Sequence, residues 1–418
     1  MGNPEHGMTC ARELLIKSSK KGSDIPFSRA EFRARIRSIQ KKMRAAGIDL
    51  LFLSSPESMY YVCGYRCEWY QAQSPKPWLP ASGVAIRSDA DDFILLETDD
   101  EELMAKCETV APDIRIFPEG IRGTIIDWIV SELAKEEWIP GTVGLEFWSY
   151  RPNRAVSALF QRALELNGCR VVDGSDIVRN LRWLKSPKEM EYVEKAARIG
   201  DLGMKAAIET MRPGMTELEV YGELILAMAA AGGENPGITI PVISGERCPR
   251  SHALASRKRI QHGEIVNIDI CGVYNRYHSN MARTFSVGKP KPEVERVVNL
   301  SAKSFDLVER VMRPGLPVDE FLAKMREYYQ KAGILHDKMW FGGYELGIAF
   351  PPDWVGSFAY DDTLDCRGKS FASGAVVNYE SNFYLPRKSG ASLLIDTIAF
   401  YERRAKVLGR IPNELIVV

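Results

Sequence analysis

No long hydrophobic run occurs in this sequence. The longest, Leu224–Ala231, falls far short of the ~20 residues that a membrane-spanning helix needs, so no membrane partner is expected. Charge of one sign is not in excess either. Lys+Arg and Asp+Glu both number 55, which leaves no electrostatic footprint for nucleic acid or an anionic surface. The eight cysteines are scattered without a CxxC pair. That speaks against a disulfide framework and fits reduced thiols in a cytosolic protein. The first twenty residues carry Glu5, Arg12, Glu13, Lys17 and Lys20 with no apolar core, which is not the pattern of a signal peptide.

What remains is an ordinary globular composition, 45% hydrophobic and 26% charged over 418 residues, enough for two domains of roughly 150–200 residues each. Residues 1–25 are polar and expected to be loosely held. From Ser28 an amphipathic helix is predicted, with Ser28 as cap, Phe32, Ile36, Ile39 and Met43 as apolar stripe, and Gly47 as stop. LLFLSS at 50–55 reads as a buried strand. Strand-like GVAIRS, DFILLET, VGLEF and RVVDG then alternate with helical segments at 121–135 and 153–167. This rhythm points to a mixed α/β sheet.

A boundary is expected near Trp183. Ser186, Pro187 and Glu189 form a helix start of capping-box type, and apolar spacing carries the helix to about Met211. MRPGMTELEV at Met211 and MRPGLPVDEF at Met312 then repeat one message: a Pro-Gly helix stop followed by a new helix. With strands rich in Ile, Val, Tyr and Phe after each copy, the echo predicts an internally duplicated α+β domain.

The chain resembles the pita-bread superfamily of creatinase, aminopeptidase P and methionine aminopeptidase (M24) over residues 28–418. The resemblance rests on SSPESMYYVCGY (54–65), LRWLKSPKEMEYVEKAARIGD (181–201) and SHALASRKRIQHGEIVNIDICGVYNRYHSNMARTFSVGKP (251–290). The first of these is similar to the family's first-strand-to-turn segment. The fold implied is α+β, with a smaller α/β creatinase-type N-terminal domain over 26–182 and a pseudo-symmetric duplicated pita-bread catalytic domain over 183–418.

In the superfamily's metalloenzymes the ligands are two Asp, one His and two Glu. By resemblance Asp269 and Glu380 occupy two of those places, while Asn280, Tyr344 and Ile395 stand at the other three. An amide oxygen, a phenol and an alkyl group are poor partners for paired divalent cations, so no metal and no other cofactor is expected. Asp396 is one residue along from Ile395, and one step on a strand points to the opposite face.

Two branches without the metal set, creatinase and ectoine hydrolase, are the nearer likeness. The run Tyr274–His278 and the sequence Pro351-Pro352-Asp353-Trp354 resemble the latter. The function this implies is metal-independent hydrolysis of a non-peptide C–N bond (amidine, guanidine or amide) in a small polar solute. A metal-dependent Xaa-Pro peptidase, a lyase on a small solute and a non-catalytic binding protein are the alternatives.

By resemblance His252 matches the superfamily's active-site histidine before the Asp269 strand and is the expected proton carrier, a task that suits imidazole because it titrates near neutrality; the other reading is a loop histidine held for structure. Asp269, set among strand-formers, is either nucleophile, water-holder or cation anchor, or a structural carboxylate. Glu380 is the second expected catalytic acid. Tyr344, Tyr277, His278 and Glu345 are candidate substrate contacts, with sheet packing the alternative for Tyr277 and His278. Arg283 reads as an ion-pair partner. The resemblance further implies a homodimer in which the N-terminal domain closes the partner subunit's active site. Trp69, Tyr70, Lys76 and Trp78 would then contribute, if they are not simply a Pro-rich surface loop.

Overall fold

The structure is a computed structural model that describes residues 11–20, 22, 24–67, 75–118 and 122–418. The chain divides into two compact units between Leu181 and Arg182. The N-terminal unit runs α1 (Ala11–Ser18), α2 (Arg29–Ala46), β1 (Leu50–Leu53), α3 (Pro56–Cys63), β2 (Gly83–Arg87), β3 (Phe93–Glu97) and α4 (Glu102–Glu108). It continues β4 (Asp113–Ile116), α5 (Ile125–Lys135), β5 (Thr142–Leu145), α6 (Arg154–Leu166), β6 (Arg170–Asp173) and α7 (Ser175–Arg182). Its six strands form one mixed sheet in the order β4-β3-β2-β1-β5-β6.

The reasons for these elements are local. Ser28 accepts the Glu31 N–H to start α2, Gly47 ends it in the left-handed region (φ 67°), and the expected stripe is buried. A cap of this kind is worth about 1 kcal/mol. Two expectations change. Residues 11–18 are helical rather than loose. Residues 56–63 form a helix, because Ser55 caps Ser58 and Pro56 sits in the first turn. The buried Glu146 carboxylate, which accepts from Ser54 N, Ser55 N and Ser58 Oγ, holds that helix start in place.

The C-terminal unit begins with α8 (Pro187–Thr210), α9 (Glu217–Ala230), β7 (Val242–Ser244), β8 (Ile265–Ile270), β9 (Val273–Tyr274), β10 (Tyr277–His278) and β11 (Met281–Ser286). It continues α10 (Pro292–Ala302), α11 (Ser304–Val311), α12 (Val318–Ala332), β12 (Lys338–Tyr344), β13 (Ala359–Asp361), β14 (Val376–Leu385), β15 (Gly390–Phe400), β16 (Ala405–Val407) and β17 (Ile416–Val417). The main sheet runs β13-β12-β14-β15-β11-β8-β7, with β16 on β15 and β17 on β11.

The duplication is visible in the hydrogen bonds. Gly214 N donates to Ile260 O and Glu217 N to Lys258 O; Gly315 N donates to Phe371 O and Val318 N to Lys369 O. Isolated bridges Thr216–Arg259 and Pro317–Ser370 match as well. Each Met-Arg-Pro-Gly therefore ends one helix, meets a distant strand-like segment, and starts the next.

Alternation then sorts the sheet into two faces. Val266, Ile268, Ile270, Met281 and Phe285 pack into the core formed with α8 and α9. Val377, Tyr379, Phe383, Leu394 and Ile398 pack into the core formed with α10–α12. The residues between them, including Asp269, Ala282, Glu380 and Ile395, are left for the opposite face.

Candidate active site

Strand register sets out this second face as rows. Ala282 lies opposite Asp269 on one side and Ile395 on the other, and Ile395 lies opposite Glu380. One row therefore reads Asp269–Ala282–Ile395–Glu380, an acid at each end of an apolar floor. The flanking row on one side contains Asn267, Thr284, Leu393 and Asn382. Ala282, Ile395, Leu393 and Ile243 form a small buried cluster, with Met339 and Ala253 packed against it.

An amide relay joins the two acids. Asn280 Nδ2 donates to Asp269 Oδ1 at 2.7 Å. Asn378 Nδ2 donates to Asn280 Oδ1 and to Glu380 Oε1, both at 2.9 Å, while Asn378 Oδ1 accepts the Tyr344 backbone N–H at 2.7 Å. Asn382 Nδ2 donates to Glu380 Oε2 at 2.8 Å. The Tyr344 hydroxyl accepts Trp354 Nε1–H at 3.0 Å and donates toward Glu380. Most of the network is buried, but Asp269 and Tyr344 keep partial exposure and mark the open side.

The relay is made of neutral groups, so it cannot neutralise two carboxylates. Burial pushes Asp269 up to about 7, against the Asn280 hydrogen bond. Burial first, and the Asp269 charge second, push Glu380 up to about 8. Burial and the same two charges raise the Tyr344 phenol well above its usual range. Cys271, a buried thiol beside Asp269 and Asn280, is raised in the same way. Asp269 and Glu380 thus form a pair that holds protons near neutrality.

Other candidates are placed elsewhere. Tyr277 is fully buried and its hydroxyl donates to Glu189 Oε1 at 2.6 Å. His278 accepts the Gly237 N–H on Nε2 and meets Arg276 O through Nδ1, each at 2.9 Å. Burial, then the Arg276 charge, hold its imidazole down at about 3. These two side chains therefore hold the β9–β10 hairpin in place rather than face substrate. That hairpin lies so close to α8 that a Cβ on Gly272 would stand 1.9 Å from Ala196 O. Glu345 is also corrected from substrate contact to structural anion: it pairs with buried Lys185 at 2.8 Å and accepts Ser357 N and Oγ. Burial is the largest influence and opposes its charge, but Lys185, Arg182 and Ser357 together keep the carboxyl below its usual value.

Arg283 and Asp396 form a fully buried ion pair at 2.8 Å on the helix-packed face, so Asp396 does not substitute for Ile395. His252 is exposed at the tip of the loop between β7 and β8. The loop is held on either side of His252 by buried Glu217, which accepts from Ser244 and Arg247 before it and Ser256 after it. Lys76 and Trp78 are exposed residues of the N-terminal unit; Trp69 and Tyr70 lie outside the described residues. Sequence reasoning missed Asn378, Asn382 and Cys271, and had Trp354 only as part of a motif. The readable signal was Asn-x-Glu-x-Asn, polar residues at period two within a long apolar strand.

Comparison with known proteins gives the lineage. Residues 191–400 match the model of metallopeptidase family M24, and residues 35–184 match the creatinase/prolidase N-terminal domain. The chain belongs to metallopeptidase family M24. Among M24 relatives, an Xaa-Pro dipeptidase of Pyrococcus furiosus is 27% identical over 92% of this chain and 100% of its own length. The ectoine hydrolase of Halomonas elongata is 26% identical over 79% of this chain and 84% of its own length. A solved Xaa-Pro dipeptidase from Bacillus anthracis has the same fold, with TM-score 0.76 at 23% identity, over 93% of this chain and 100% of that one.

These relatives overturn the expected hydrolase of amidines or guanidines. The full-length likeness is to peptidases, and ectoine hydrolase matches over less of the chain. They contradict the expected metal independence as well. The M24 side chains present here nevertheless do not fit a pair of divalent cations. Asn280 turns its N–H toward Asp269, Ile395 offers no donor atom, and no group of three or more His, Cys, Asp or Glu suited to a metal occurs among the described residues. No helix among the described residues is long and apolar enough to cross a membrane.

Proposed function

We propose that the chain is a peptidase acting on dipeptides of the Xaa-Pro class, with Asp269 and Glu380 as its proton-handling pair. The substrate class is taken from the full-length relatives. The observation that carries the chemistry is the row itself: two acids, near 7 and near 8, at the ends of an apolar floor and linked by neutral amides.

Near neutral pH the pair holds about one proton between its two carboxyls. Asp269, the more acidic and the more open, accepts a proton from water as that water attacks the scissile carbonyl. Glu380, the less acidic, gives its proton to the leaving prolyl nitrogen. The C–N bond breaks, a C–O bond forms, and the pair is restored when the proton returns from Asp269 to Glu380. The Tyr344 hydroxyl orients the carbonyl. His252 enters the proposal as a proton carrier on the clamped loop. A homodimer with N-terminal closure, drawing Trp69, Tyr70, Lys76 and Trp78 to the partner's site, completes it.

The test is proline release from Leu-Pro and Ala-Pro by purified protein, with chelator and with added Mn2+, Co2+ or Zn2+. Asp269→Asn and Glu380→Gln are each expected to lower kcat by about 100-fold or more, and His252→Ala to lower it with the fold unchanged. No proline release under any of these conditions overturns the substrate class. Release that survives both acid substitutions overturns the roles of the pair. Light scattering reads the dimer.

A further inference from the structure

Asn382 carries a feature that the hydrolytic chemistry leaves unexplained. Its Nδ2 is taken up by Glu380 Oε2, which fixes the orientation of the amide. The other end, Oδ1, is buried and has no hydrogen-bond partner among the described residues, on a side chain only 6% exposed. Leaving such a carbonyl unmatched is costly, and native proteins leave few of them.

The surroundings define what would match it. Asn382 lies opposite Leu393 on β15 and Trp340 on β12. The ladder between β12 and β14 slips between Lys338 and Trp340. This bulge takes Met339 out of the pairing and sets it against the apolar cluster of Ile243, Ala282, Leu393 and Ile395. The open acceptor therefore sits between an acid and an apolar floor. A carbonyl or carboxylate there would set acceptor against acceptor at Asn382 Oδ1. A primary ammonium carries three donors and no acceptor: it can give one to Asn382 Oδ1 and lay its carbon substituent along Leu393 and Met339.

We infer that Asn382 receives the free amino group of the substrate, making it a specificity-determining residue that selects unblocked dipeptides with an apolar first residue. This rests on the peptidase reading of the same site. The test compares kcat/KM for Leu-Pro and N-acetyl-Leu-Pro in the wild type, Asn382→Asp and Asn382→Leu. Asn382→Asp keeps an acceptor but loses the donor to Glu380; Asn382→Leu loses both. The wild type is expected to prefer the free amine by at least 100-fold. Asn382→Asp should keep that preference, even with kcat reduced. Asn382→Leu should bring it within about tenfold through a raised KM for Leu-Pro, with its melting temperature confirming the fold.

A wild-type ratio in Asn382→Leu overturns the inference. So does an equal loss of preference in both variants, which would make Asn382 only a holder of Glu380. If the wild type cleaves neither peptide, the peptidase reading fails, and the inference is decided by titration calorimetry with leucinamide and N-acetyl-leucinamide. Preferential leucinamide binding that Asn382→Leu abolishes upholds it; equal binding by wild type and variant overturns it.

Discussion

Asp269 and Glu380 are costly residues, and the cost has a pH signature. In the unfolded chain both carboxyls ionise near 4; in the fold they do so near 7 and near 8. Between those limits the native state binds more protons than the unfolded state, so stability falls as pH rises. The penalty is absent below about pH 4 and complete above about pH 8. Replacing either acid by its amide removes it. Asp269→Asn and Glu380→Gln are each expected to be more stable than the wild type at pH 8.5, by about 2–4 kcal/mol, and to differ little at pH 4.5. Urea midpoints at the two pH values check this. Variants less stable at both would show that the acids are held ionised by partners, not stranded by burial. Such stabilisation at the expense of activity is expected of groups retained for chemistry. At this scale the two acids and Tyr344 were legible from their strand and turn sequences. Asn378 and Asn382 were not, because an Asn in an apolar strand reads as packing until the register shows which face it occupies.

Elements place these residues more firmly than propensity alone would. The loop between β7 and β8 has no regular structure of its own across His252, yet Glu217 at the start of α9 holds it from both sides. That carboxylate is fully buried and accepts from Ser244 N and Oγ, Ser256 N and Oγ, and Arg247. Glu217→Ala removes the acceptor of Ser244 N and Ser256 N and the carboxylate partner of Arg247, whose guanidinium keeps only Ser256 Oγ and Leu254 O. The expected cost is about 3 kcal/mol, together with faster amide exchange across residues 245–258. Exchange unchanged in that loop would mean that its conformation is set elsewhere. The helix itself was readable, since Thr216 and Glu219 make a capping box that the structure contains. Its second task was not readable: Glu217 looks like an ordinary acidic first-turn residue in sequence, and only the tertiary fold brings Ser244, 27 positions away, to its carboxylate.

At the scale of the whole molecule, the duplicated C-terminal unit was legible because its two copies share a helix-stop signature. The site was half legible because it is built across both copies. Asp269 and Asn280 come from the first, Tyr344 from the second, and Glu380 and Ile395 from the long hairpin of β14 and β15. Register then brings Asn280 to Asp269, and Tyr344 and Ile395 to Glu380. The three positions that depart from the metal-ligand set therefore still converge with the two that keep it. Asn280→Asp, Tyr344→His and Ile395→Glu together would place four carboxyls and an imidazole on one buried face. Without a cation this is repulsive and poorly solvated, so the triple variant is expected to melt well below the wild type in chelator. A divalent cation that binds the folded state alone restores stability by mass action, about 2.7 kcal/mol at a hundredfold excess over Kd. Thermal unfolding with EDTA and with Mn2+ or Zn2+ should thus separate the two proteins, with a large metal-dependent rise in Tm for the triple variant and a smaller one for the wild type. Equal rises would mean that the native residues already hold the cation as well as the full set does. No rise in the variant would mean that the three positions do not converge on the Asp269–Glu380 row.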